Sequence, residues 1–113
     1  MNRRVFALAL SLGLGLFLAP RLAVAAEDHL GEAITHTKQA IEHGKMGHAD
    51  VLVTHAEEAL KHAKAAEKEK ANPHVKEGIT HLDQAIEHGK MKHADVATKH
   101  AEEALTHLEA AGK

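Results

Sequence analysis

Residues 29–68 return as residues 74–113, an offset of 45, with about two-thirds of the positions identical. A period of this length marks one supersecondary unit used twice, so the fold must be built from two like pieces. All twelve histidines obey the offset: His29, His36, His43, His48, His55 and His62 recur as His74, His81, His88, His93, His100 and His107. Within one unit the apolar period is helical. Leu30, Ala33, Ile34, Thr37, Ala40 and Ile41 follow three-four spacing, and Ala49, Leu52, Val53, Ala56, Ala59, Leu60, Ala63 and Ala66 make a second stripe. Gly44 offers a helix C-terminal cap, so each unit reads as a helical hairpin turning near residues 44–47. Asn72-Pro73 reads as an N-cap with proline at the first helical position of the second unit. Four short helices, each with one apolar face, must bury those faces together. The expected fold is all-α, an up-down-up-down four-helix bundle of two antiparallel hairpins. Two hairpins pairing between chains as a dimer are the alternative.

The first 26 residues stand apart from this pattern. Asn2-Arg3-Arg4, the apolar run "VFALALSLGLGLFLA" and the small residues of "LAVAA" have the three parts of an export signal. The run is shorter than the roughly 20 residues of a membrane span, and no second apolar segment follows. The expectation is therefore a signal peptide over 1–26 and one soluble, exported, periplasmic domain over 27–113. That domain comprises repeat one at 28–68, a linker at 69–73 and repeat two at 74–113. With both phenylalanines and all three arginines in the signal, the remainder has no Phe, Tyr or Trp and sets eleven lysines against sixteen acids. An acidic balance disfavours nucleic acid and anionic lipid as partners and mildly attracts cations. No cysteine is present, which removes disulfides and thiolate metal sites. The aliphatic core is thin, and small domains of this kind often need a staple.

The histidines have a phase of their own. With Leu30 and Ala33 as heptad positions a and d, His29, His36 and His43 all fall at g, beside the core stripe. With Ala49 as a, so do His48, His55 and His62. In an antiparallel hairpin these g positions share one seam. Folded about the turn, the pairs 43/48, 36/55 and 29/62 each total 91, and the second unit pairs 88/93, 81/100 and 74/107 at 181. Six cross-helix His–His rungs are expected, three per hairpin. Successive histidines on one helix lie seven residues apart, about 10.5 Å, too far to share an ion. Cross-helix partners are not.

An acid accompanies each helix. Glu32, Glu58, Glu77 and Glu103 each follow one histidine by three residues and precede the next by four, which puts them on the histidine face. Imidazole with carboxylate suits divalent first-row metals, with affinity rising toward copper(II) and with nickel(II) and zinc(II) also accommodated. The twelve histidines are therefore the candidate metal ligands, and the four glutamates secondary ones. Cleavage after Ala26 would also leave Glu27-Asp28-His29 as an amino terminus able to wrap copper(II) or nickel(II) in a square-planar nitrogen set, whereas cleavage after Ala25 would not. Met46 and Met91, beside the turns, are either apolar contacts closing the bundle end or thioether ligands for copper(I). The rival to metal binding is a helical stress or interaction protein whose histidines sense pH, since imidazole titrates near pH 6.5. An H-E-x-x-H zinc-hydrolase motif and the Glu-x-x-His pairs of di-iron bundles are both missing. Neither a nucleophile–base pair nor a glycine-rich phosphate loop occurs, so no enzyme is expected.

With its seven-spaced histidines, twofold repeat, "HGKMGHAD" and "HGKMKHAD" turns and export signal, the chain resembles the small metal-binding protein family. The motifs that carry the resemblance are "HAEEALKH", "HAEEALTH" and "ITHTKQAIEHG". It implies a histidine-rich periplasmic four-helix bundle that binds several metal ions, copper foremost, in a buffering or detoxifying role. The family's histidine ligands map onto the twelve positions named above. Metal ions are then the partners, and a monomer is the expected state.

Overall fold

The computed structural model describes residues 28–113. The expected export signal over 1–26, and Glu27, lie outside the described residues. Four helices follow one another: α1 (His29–Lys45), α2 (Ala49–Glu69), α3 (Pro73–Lys90) and α4 (Ala94–Ala111). Two of the four starts follow from side chains able to take the first unpaired N–H groups. Asp28 caps α1 by accepting from the Gly31 amide at 2.9 Å. Asn72 caps α3 by accepting from the His74 amide at 2.8 Å, with Pro73 in the first turn as expected. His48 and His93 occupy the N-cap positions of α2 and α4 and make no side-chain cap bond there.

Each helix packs on the two that flank it in the ring, α4 closing on α1. The result is the four-helix bundle expected from the apolar stripes. Among the described residues no helix is long and apolar enough to cross a membrane. The core is mostly alanine, with Leu52, Leu82 and Leu108 as its largest fully buried apolar side chains. Alanine lets helices approach closely, and the few leucines are accommodated by small residues opposite. Gly78 lies under Leu108, where a Cβ would meet Leu108 Cδ2 at 2.8 Å. At the equivalent places of the other repeat stand Ala33 and Ala63, both fully buried. Volume is thus shared differently in the two halves. Thr37 is fully buried, and its hydroxyl is satisfied by donating to the Ala33 carbonyl of its own helix at 2.7 Å.

The four seams of the ring divide by chemistry. The α1/α4 seam carries Lys38–Glu109 and Lys45–Glu102, both at 3.8 Å. The α2/α3 seam carries Lys76–Glu67 at 3.8 Å and Lys90–Glu57 at 3.7 Å. Lys45–Glu102 and Lys90–Glu57 exchange under the 45-residue offset, so the two hairpins are joined reciprocally. Apart from Glu67, which is half-buried, the partners are exposed, and exposed pairs stabilise by little, about 0–1 kcal/mol each, but they match the hairpins' edges by charge. The other two seams, α1/α2 and α3/α4, hold the histidines.

One expectation about the turns is corrected. Gly44 is not the cap. It lies inside α1, is buried, and a Cβ there would collide with Thr98 Oγ1 and Leu52 Cδ1. Gly89 is its counterpart, confined by Val53 Cγ2 and by Leu52 Cδ2. These glycines permit close helix approach at the turn end. Reversal falls three residues later, at Gly47 with φ +77° and at Lys92 with φ 66°. In the first turn the Gly47 amide donates to Gly44 O at 3.0 Å and the His48 amide to His43 O at 2.9 Å, a Schellman closure. Lys92 and His93 repeat it at 3.0 and 2.9 Å. The same backbone bond that ends α1 therefore ties His43 to His48. Met46 and Met91 are 56 % and 50 % exposed, so they do not close the bundle end.

Candidate metal centre

All twelve histidines lie along the two α1/α2 and α3/α4 seams, as their heptad phase requires. The expected pairs are adjacent. His29–His62, His36–His55 and His43–His48 have ring centroids 5.3, 6.0 and 5.9 Å apart. His74–His107, His81–His100 and His88–His93 repeat this at 5.6, 5.8 and 6.1 Å. In the pairs farthest from the turns the rings join directly, Nδ1 to Nδ1, at 3.0 Å for His29–His62 and 3.4 Å for His74–His107. One nitrogen of each such pair donates and the other accepts.

The pairs are not isolated rungs. His36 also stacks on His62 at 5.8 Å and His43 on His55 at 5.4 Å. In the second hairpin His81 stacks on His107 at 5.6 Å and His88 on His100 at 5.4 Å. Each seam is a single file, 29-62-36-55-43-48 in one hairpin and 74-107-81-100-88-93 in the other. Rings of one helix interleave with those of its partner at about half the 10.5 Å heptad rise. Folding the sequence about its turn, with partners at equal height, misses this stagger. A numerical trace existed, because the diagonal pairs total 98 and 188, one heptad beyond the rung totals.

Six Nδ1 atoms, of His36, His43, His55, His81, His88 and His100, are buried without a hydrogen-bond partner. Leaving a buried polar atom unpaired costs about 1–3 kcal/mol, so such a set calls for an explanation. A neutral imidazole nitrogen with a free lone pair is also what a divalent metal binds. The residues present therefore fit a metal on the structure's own terms.

Acids meet the file from both sides. Glu32, His36 and His62 offer one ligand atom each within 4.8 Å of one another, as do Glu77, His81 and His107. His81, His100 and Glu103 form a third such group, with Glu103 Oε1 3.2 Å from His81 Nδ1 across the seam, outside hydrogen-bond geometry. Glu32 lies 3.8 Å from His36 one helical turn along. Glu58 joins no such group among the described residues, and acts on His55 electrostatically. Burial lowers the His55 pKa from its usual 6.5, His43 and His36 lower it further, and Glu58 opposes them. His48 and His93 end the files as exposed residues, and the α4 face of the third group opens to solvent through a groove of about 490 Å³ lined by His100 and Glu103.

A helical bundle with two of its seams built from imidazoles and flanked by carboxylates is, by its donor set, a small histidine-rich metal-binding protein. Its lineage is specific: the chain belongs to the small metal-binding protein family, whose model matches residues 5–111. No curated protein matches it.

Proposed function

We propose that this protein is an exported, non-enzymatic metal buffer that takes up several divalent transition-metal ions, copper(II) foremost, along its two histidine seams. The observation that carries this reading is the set of six buried imidazole nitrogens without a hydrogen-bond partner, three of which, on His36, His81 and His100, belong to residues grouped with a carboxylate. The ligands are the twelve histidines, with Glu32, Glu77 and Glu103 completing sites and Glu58 contributing charge beside His55. Copper(II) is favoured over zinc(II) and nickel(II) because nitrogen and oxygen donors bind it most tightly in the divalent series. Removal of residues 1–26 on export to the periplasm would leave the bundle as one soluble monomeric domain over 27–113. Cleavage after Ala26 would add a square-planar amino-terminal site through His29.

Calorimetric titration of the purified exported protein with copper(II), zinc(II) and nickel(II) tests this. Uptake of several copper equivalents, with copper the tightest, is expected. Saturation at or below one equivalent overturns the multi-site reading.

A further inference from the structure

We propose that each histidine file is a row of five overlapping two-histidine sites, along which a bound divalent ion moves by exchanging one imidazole at a time. This rests on the metal-binding reading above and adds to it a path and a rule of exclusion. Within a file the diagonal neighbours are as close as the rung partners: 5.4–5.8 Å against 5.3–6.1 Å between centroids. Nothing in the spacing favours one register. Acids support both: Glu77 completes the diagonal His81–His107, and Glu103 completes the rung His81–His100. His81 belongs to both groups and so stands where the two registers meet.

An ion held by two imidazoles keeps one while the other is replaced by the next ring in the file. One metal–nitrogen bond breaks and one forms. No proton or electron need move, because the incoming neutral ring already presents a lone pair. The end rings, exposed His48 and His93 among them, are then where ions join and leave. A ring that gives its nitrogen to one ion is lost to the neighbouring site, so adjacent sites exclude each other. The rung register uses all six rings of a file, for about three ions. The diagonal register uses the inner four, for about two.

Two variants with equal numbers of histidines separate this from its alternatives, and native mass spectrometry counts the copper(II) bound at saturation. His74→Ala with His93→Ala removes both ends of the second file and leaves two disjoint diagonals, 107-81 and 100-88. His81→Ala with His88→Ala leaves one adjacent pair, 74-107, because the other survivors are a heptad apart on one helix. Relative to the unaltered protein, the end variant should lose about one copper ion and the interior variant about two. A loss of two in both means fixed rungs and overturns the proposal. A loss of one in both means an unordered pool of histidines and overturns it equally. Circular dichroism checks that each variant stays helical, and His81→Gln with His88→Gln is used in its place if the interior variant does not. An unaltered protein that takes up one ion or none refutes the metal-buffer reading itself, a result distinct from either of these.

Discussion

At the scale of single residues, burial and charge decide what the His55 imidazole does. Burial holds its pKa below 6.5, His43 and His36 add to this, and Glu58 draws it back. The folded protein thus favours the neutral ring, while the unfolded chain binds a proton near pH 6.5. The stabilisation is present above pH 6.5 and is lost as the pH falls from 6.5 through the lowered folded value. In metal-free buffer the urea midpoint should therefore decline across that window. Removing the opposing charge with Glu58→Gln should move the His55 titration, read from its ring C–H resonances, to still lower pH. A midpoint that climbs on acidification, or a shift upward in the variant, contradicts this account. The neutral ring is also the metal-binding form, so the same environment that resists protons keeps the lone pair available.

Between elements, packing is set by pairs of large and small residues. Leu108 fills the space that Gly78 leaves, whereas the equivalent places of the other repeat pair alanine with alanine. Leu108→Ala should cost about 2–5 kcal/mol through lost burial and a cavity. Gly78→Ala alone sets a Cβ against Leu108 and should cost about 1–3 kcal/mol in crowding, less about 1 kcal/mol regained in helix propensity. Together they recreate the alanine pair of the first repeat, so the double variant should be more stable than the sum of the singles by about 0.5–3 kcal/mol. Denaturant unfolding of the four proteins measures this coupling. Strict additivity would mean that the two residues do not share the space. The ion-paired seams align the hairpins but stabilise weakly, so packing of this kind carries the bundle.

For the molecule as a whole, metal and fold are linked. A ligand that binds only the folded bundle stabilises it by about 2.7 kcal/mol at a free concentration one hundred times its dissociation constant. In a domain of this size that is a rise in melting temperature of about 10 °C or more. Copper(II) should produce such a rise and a strong chelator should reverse it, both followed by circular dichroism at 222 nm. A protein whose histidines serve only as a pH sensor would melt at one temperature with or without copper. Both hairpins should contribute, because their histidine files repeat each other in geometry.

Sequence alone determined the helices, the bundle and which residues face the histidine seams. Helical periodicity, N-caps and the 45-residue repeat are local or additive signals, and phase follows from spacing along one chain. The twelve histidines and their rung partners were legible for that reason. Tertiary structure decided the rest. The half-step stagger that joins the rungs into files depends on how two helices settle against each other, not on either helix. The role of Gly44 depended on Thr98 and Leu52 arriving from other helices, so a glycine that reads as a cap became a point of close approach. Which acids reach the rings was decided likewise: Glu32, Glu58, Glu77 and Glu103 share one spacing in sequence, yet among the described residues three complete histidine groups and Glu58 does not. Spacing places a side chain on a face, and only the packed neighbour across the seam determines what it meets.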